Sequence, residues 1–251
     1  MATKGKGSSF GRGRDKATEL TAATPLRLTK ADGQEVLELP GEIVNQYRHL
    51  HTRLTRETPW PRRLGLIAAL RGEGVTTVGL GLATVLTTDL EATFCLVETN
   101  WWWPGLAARV NEEETPGLGE VVTEQATLDD ALRSTGSAKL WLLPAGKTAA
   151  EARSHLARSR TMRATLDALN ERFDHLLLDL PAILACGDAV PLAALADGLC
   201  LVIRQGTTPL PLIRQALDQV EHLPVRGVVL NGARVATPRW LQRLTLGVFF
   251  G

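Results

Sequence analysis

Residues 64 to 77 read Leu64-Gly-Leu-Ile-Ala-Ala-Leu-Arg-Gly-Glu-Gly-Val-Thr-Thr77, a buried strand, a glycine turn and a helix that starts near Thr76. That order is the architecture of a phosphate-binding loop. Glycines there let backbone N–H groups converge on phosphate oxygens, at a helix N-terminus whose dipole favours negative charge. Gly72 and Gly74 supply the backbone, and Thr76 and Thr77 follow at the helix start. The usual pattern continues Gly-Lys-[Ser/Thr], the lysine reaching the β- and γ-phosphates and the hydroxyl holding Mg²⁺. Val75 occupies the lysine position, so the hydroxyl of Thr76 survives and the charge does not. Losing a charge-assisted hydrogen bond weakens binding by roughly ten- to a hundredfold or more. A cation aimed at a transferring phosphoryl group contributes on the order of a further hundredfold in rate. The loop reads as inherited rather than active. Taken alone, it reads equally as a turn that is merely tight, and the rest of the chain has to decide.

The 251 residues with ordinary apolar content suffice for one α/β domain with a full core and a flexible end. After the loop, apolar runs and helical stretches alternate. Val78 to Thr88 is helical, and Thr93 to Glu98 is a continuous apolar run of the kind a doubly covered parallel strand shows. Gly117 to Val122 and Thr127 to Leu132 read as short helices and Lys139 to Leu143 as a strand. Ala149 to Phe173 is a long helical region with a break near Ser159. His175 to Asp179, Gly198 to Arg204 and Arg226 to Asn231 are strands, separated by helices at Asp188 to Ala196 and Pro209 to Leu223. This alternation predicts a doubly wound, mostly parallel sheet in a three-layer α/β sandwich. Ligands of such sheets sit at the carboxyl ends of strands, where the Gly72 to Thr77 loop, Glu98, Asp179 and Asn231 all fall.

Four segments are expected. Residues 1–23 are rich in Gly, Ser and Thr, carry Lys4, Lys6, Arg12, Arg14 and Lys16, and lack apolar periodicity, which reads as a disordered basic tail serving solubility. Residues 24–62 hold a short hairpin turning at Ala31-Asp-Gly-Gln34 and a helix from Glu42, with Ile43, Tyr47, Leu50 and Leu54 on one face and Pro59-Trp-Pro61 beyond its end. Residues 63–236 form the nucleotide-type domain, and residues 237–251 a C-terminal amphipathic segment. Net charge near +1 argues against a nucleic-acid partner. Cys95, Cys186 and Cys200 stand apart, so neither a disulfide framework nor a Cys-x-x-Cys metal site is indicated. No apolar run is long enough to span a bilayer, and no apolar signal region follows the basic N-terminus. The expected location is the cytoplasm.

In chain order, Gly72-Glu-Gly-x-Thr-Thr77, Leu96-Val97 with Pro104, Gly117-Leu-Gly-Glu-Val121, Leu143-Pro-Ala-Gly146, Phe173-Asp174 with Asp179-x-Pro181, Asp188-Ala189, Ala196-Asp-Gly198 and Gly227-Val-Val-Leu-Asn231 form a specific set. Over about residues 41 to 236 they resemble the cytoplasmic domain of the bacterial tyrosine kinases (BY-kinases) of capsule and exopolysaccharide export. These are P-loop ATPases near the plasmid-partition and division-site ATPases. The resemblance implies a P-loop NTPase-like fold, ATP or ADP with Mg²⁺ as ligand, a cofactor set of Gly72, Gly74, Val75, Thr76, Thr77 and Asn231, and metal ligands Thr76 and Asp179. Asn231 matches an adenine-contacting position, and Asp179 matches the family's Walker B aspartate.

The departures from that pattern are several. Where the family has Asp-x-Asp and then an arginine before the proline, this chain has Glu98, Asn100 and Trp102. The ring-forming Glu-x-x-Arg-x-x-Arg helix becomes Asn45-x-x-Arg48-x-x-His51, and the tyrosine tail is replaced by a single tyrosine, Tyr47. Each loss removes a different part of phosphoryl transfer, so the expectation is a pseudokinase with no catalytic residue and weak ATP–Mg²⁺ binding at best. It would be a regulatory or interaction module in exopolysaccharide biosynthesis. Its partners would be a membrane chain-length (polysaccharide co-polymerase) protein, an active kinase paralogue or further copies of itself, at the inner face of the cell membrane. One alternative is an active ATPase or kinase in which Arg71 supplies the missing cation. Another is a membrane-positioning ATPase-like protein. Trp101-Trp-Trp103 reads as a core cap, or as a partner surface or a plugged pocket, in which case at least one ring is accessible. Arg239 to Gly251, with Trp240, Leu241, Leu244 and Val248 on one face, reads as a packing element or as a weak membrane anchor.

Overall fold

The computed structural model describes residues 24–110 and 115–233. The basic tail and the C-terminal amphipathic segment lie outside the described residues, as do residues 234–236 at the end of the nucleotide-type domain. The chain opens with a hairpin, β1 (Leu26–Thr29) and β2 (Glu35–Leu39), antiparallel with Leu26 beside Leu39 and Gly33 at φ +87° in the turn. Helix α1 (Gly41–Leu54) follows, then β3 (Arg63–Ala68), α2 (Val75–Asp89) and β4 (Phe94–Glu98). Three short helices come next, α3 (Leu106–Arg109), α4 (Leu118–Val122) and α5 (Leu128–Ala131), before β5 (Arg133–Ser134) and β6 (Leu140–Leu143). The rest is α6 (Arg153–Ala157), α7 (Arg160–Arg172), β7 (His175–Asp179), α8 (Ala189–Ala193), β8 (Gly198–Arg204), α9 (Leu210–Gln219) and β9 (Val225–Asn231).

Seven strands form one sheet in the order β5-β6-β4-β7-β3-β8-β9, parallel throughout except for β5 at one edge. The strands are apolar on both faces because both are covered. Phe94 and Leu96 of β4, with Leu64 and Leu66 of β3, face α1, α2, α3 and the hairpin. Cys95 and Val97, with Leu176 and Leu178 of β7 and Leu199 and Leu201 of β8, face α4 to α9. The expected three-layer α/β sandwich is thereby formed. The break expected near Ser159 is a helix start: the Ser159 hydroxyl accepts the Met162 N–H at 3.0 Å, capping α7.

Differences from the sequence reading have local causes. On α1 the fully buried residue is Val44, which packs with Leu39 and Val85, while Ile43 is exposed. The rest of the expected stripe packs inward, with Leu54 buried and Tyr47 and Leu50 against the same core. Tyr47 packs its ring over Gly81 of α2, where any Cβ would collide with the phenol, and burial pushes the Tyr47 hydroxyl up to about 12. Helix α8 ends at Ala193 rather than Ala196. The following residues turn so that the Asp197 N–H donates to the Arg63 carbonyl at 2.9 Å while its carboxylate accepts the Arg63 N–H at 2.9 Å. Strand β5 and helix α3 are too short to leave a periodic signature, and sequence reasoning missed both.

Candidate functional site

β3 pairs with β7 on one side and β8 on the other, and the chain leaves its carboxyl end through the glycine loop into α2. The sheet's connections diverge at this point, which is where a crevice opens in such folds. A cavity of about 670 Å³ lies there, within the usual size range for small-molecule sites. Gly72, Gly74, Val75, Thr76, Thr77, Asp179 and Asn231 all line it, so the residues singled out from the sequence converge on one place.

The loop is held open by its own backbone and by one buried carboxylate. Gly72 has φ +79° and Gly74 φ +94°, the left-handed region that favours glycine. At Gly74 a side chain would also strike the Asn231 amide, whose Nδ2 donates to the Glu73 carbonyl at 2.7 Å. Asn231 therefore braces the loop as well as lining the cavity. The Glu73 side chain is buried and accepts the Leu70 N–H at 2.7 Å, the Arg204 N–H at 3.2 Å and the Thr208 hydroxyl, tying the loop to β8. Helix α2 begins at Val75 with Gly74 as its N-cap and no side-chain cap. Its first-turn N–H groups are thus left for a ligand. Val75 itself packs against the apolar core on the α2 side of the sheet.

The two carboxylates at the strand ends do different things. In the pairing of β4 with β7, Glu98 lies beside Asp179. Asp179 is buried and accepts the Thr76 hydroxyl at 2.5 Å. Burial and the neighbouring Glu98 charge push it up to about 7, against the pull of the Thr76 hydrogen bond and the Arg109 charge. Glu98 turns to the backbone instead: Oε1 accepts the N–H groups of Gly105 at 2.6 Å and Leu106 at 3.0 Å, and Oε2 that of Ala145 at 3.1 Å. Its burial raises its pKa despite these bonds. The negative charge that the sequence keeps at this position thus fixes the start of α3 and the turn after β6. Asn100 likewise closes its own loop, bonding the Trp103 N–H at 3.2 Å and carbonyl at 3.0 Å.

The tryptophans separate. Trp101 is buried and its Nε1–H donates to the Ala145 carbonyl at 2.9 Å, a core cap. Trp102 and Trp103 are partly exposed, and Trp103, rather than Trp102, lines the cavity. The Arg71 guanidinium lies 4.0 Å from the centre of the Trp103 ring. Two further cavity-lining arginines were not singled out from the sequence. Arg109 of α3 donates from Nη2 to the Thr77 hydroxyl at 2.8 Å, and Arg204 at the end of β8 donates from Nη1 to the Gly72 carbonyl at 3.1 Å. No spacing pattern signals either, because each reaches the loop through a crossover of the fold.

The cavity fits a nucleotide with its metal in donor chemistry. The free first-turn amides suit phosphate, while Thr76 and Asp179 are hard oxygen groups of the kind Mg²⁺ accepts alongside phosphates and water. Among the described residues no group of three or more His, Cys, Asp or Glu could hold a metal unaided, so these two suit only an ion that phosphates also coordinate.

No protein-family model matches the chain. It is 28% identical over 174 residues to the succinoglycan biosynthesis transport protein ExoP of Rhizobium meliloti (strain 1021), a match covering 68% of this chain and 22% of ExoP. It is 25% identical over 173 residues to the tyrosine-protein kinase YwqD of Bacillus subtilis (strain 168), covering 68% of this chain and 72% of that protein. The chain thus spans only about a fifth of ExoP. The crystal structure of the VpsO kinase domain superposes with a TM-score of 0.67 at 26% identity, covering 76% of this chain and 92% of that one. The chain is a tyrosine-kinase-domain-like protein of the P-loop ATPase superfamily.

Proposed function

We propose that this chain is a non-catalytic, kinase-like module that acts in exopolysaccharide or capsule biosynthesis. It would regulate or dock onto a membrane chain-length protein or an active kinase paralogue at the inner face of the membrane. The observation that carries the reading is the use made of the positions phosphoryl transfer needs. Val75 sits in apolar contact where the lysine would stand, the Glu98 carboxylate is engaged by three backbone amides, and Asn100 bonds its own loop. Phosphoryl transfer depends almost wholly on positioned cations, metal-binding carboxylates and a base, and these side chains are occupied otherwise. Arg71, the alternative cation, lies over Trp103 in a cation–π contact that holds it to the cavity wall, which also favours the non-catalytic reading. Tyr47, the chain's single tyrosine, is packed against Gly81 and is poorly placed as a phosphate acceptor.

A bound nucleotide would supply a transferable phosphoryl group together with its metal. Toward it, the loop amides bind and orient phosphate, and Thr76 and Asp179 present oxygen to the metal. Burial and the Glu98 charge raise the Asp179 carboxyl to about 7, so its anionic form would be offered to a metal mainly above that pH. The test is direct: the full chain is incubated with ATP and Mg²⁺, and phosphate release and self-phosphorylation are followed over hours. We expect neither above background. Turnover approaching the roughly 1–100 s⁻¹ of working kinases would overturn the reading.

A further inference from the structure

The cavity that has lost its lysine has not lost its positive charge. Three guanidinium groups from three separate places line it: Arg71 from the loop, Arg109 from α3 and Arg204 from β8. The carboxylates facing them are Asp179 and Glu73. Glu73 is taken up by the Leu70 and Arg204 N–H groups and by the Thr208 hydroxyl, and Asp179 by the Thr76 hydroxyl. Arg71 is committed to the Trp103 face, and Arg204 is anchored to the Gly72 carbonyl.

Arg109 differs from both. It is exposed, and among the described residues its side chain hydrogen-bonds the Thr77 hydroxyl at 2.8 Å, one residue beyond the Thr76–Asp179 pair. A guanidinium has five N–H donors in a rigid fork, so a single bond to Thr77 leaves most of them for a planar or tetrahedral anion. The loop amides at the start of α2 face the same space.

We propose that Arg109 is the phosphate-binding cation of this cavity, replacing from α3 the charge that position 75 lacks, and that with Arg204 it makes the cavity a site for the polyphosphate chain of a nucleotide. The inference rests on the reading of the chain as a non-catalytic module and gives that module its ligand: a nucleotide held and not consumed. The charge comes from a different element and direction than a loop lysine would use. It can therefore neutralise phosphate without standing where a transferring phosphoryl group needs its cation, which accounts for retention without turnover.

The experiment is isothermal titration of the full chain with ADP, with ATP and Mg²⁺, and with pyrophosphate, for the native protein and for Arg109→Gln, Arg109→Lys, Val75→Lys and the Val75→Lys/Arg109→Gln pair. We expect the native chain to bind, Arg109→Gln to weaken binding tenfold or more, and Arg109→Lys to restore part of it. Val75→Lys should help several times more in the Arg109→Gln background than in the native one, because the two cations serve the same phosphates. Thermal melts of each variant show whether the fold is intact, and Arg109→Lys keeps the test sound should the glutamine variant melt early. Native-like affinity in Arg109→Gln, or no binding by the native chain, would overturn the inference while leaving the non-catalytic reading standing. Hydrolysis by the native chain would overturn that reading instead.

Discussion

Asp179 shows how one residue couples the site to stability. Its carboxyl ionises near 3.8 when unfolded and near 7 in the fold, burial being the main cause. Between those values the folded chain binds more protons than the unfolded one, so stability falls as pH rises from about 4 to about 7, and the cost is complete above 7. Asp179→Asn removes the ionisable group and keeps an acceptor for the Thr76 hydroxyl. The variant should melt higher than the native protein at pH 8, by an amount equivalent to a few kcal/mol at most, with the difference vanishing toward pH 4. Melting curves at both pH values check this, and a lower melting point for the variant at pH 8 would contradict it.

At the scale of elements, the site depends on two short pieces with little stability of their own. Helix α3 has four residues and presents Arg109, and it is held to the sheet by Glu98 accepting the Gly105 and Leu106 N–H groups. The second oxygen of Glu98 holds the Ala145 N–H, next to the turn on which Trp101 rests. Removing the acceptor strands three amides, two of them at buried residues, each costing about 1–3 kcal/mol. Glu98→Ala should therefore destabilise by roughly 3–5 kcal/mol, while Glu98→Gln, which keeps one acceptor oxygen, should lose less. Denaturant unfolding of both variants tests the order. An alanine variant as stable as the native chain would mean that water replaces Glu98 and that α3 is not held as described.

For the whole molecule, α1 joins the hairpin to the nucleotide-type domain, at the place where the family's ring-forming motif falls and where this chain departs from it. The Arg48 guanidinium forms two bonds to the Asp89 carboxylate, at 2.7 and 2.8 Å, linking α1 to the end of α2 within one chain. His51 stacks near Trp60 with ring centres 5.3 Å apart. Arg48 and His51 are thus used internally. Arg48→Ala should lower the melting point by about 2 °C, as expected of a half-exposed ion pair worth up to about 1 kcal/mol, and should leave the mass measured by light scattering unchanged. A change of mass would show that Arg48 bridges subunits instead.

Much of this organisation is legible in the sequence. Runs such as Phe94 to Glu98 and His175 to Asp179 are strands because alternate residues must fill two covered faces. Gly72 and Gly74 mark the loop because its conformation requires positive φ. Strand ends then place Thr76, Asp179 and Asn231 at one edge of the sheet, since a parallel sheet brings all its carboxyl ends together. Tertiary structure alone decided what the polar groups there do. Glu98 and Asp179 end matching strands with nearly the same chemistry, yet one bonds the backbone and the other faces the cavity. Arg71 lies beside the loop in sequence but stacks on Trp103, while Arg109, 32 residues beyond Thr77, reaches it. Periodicity and turn chemistry are local and survive in one dimension. The partner of a long polar side chain depends on which elements the crossovers bring together, and no local pattern records that.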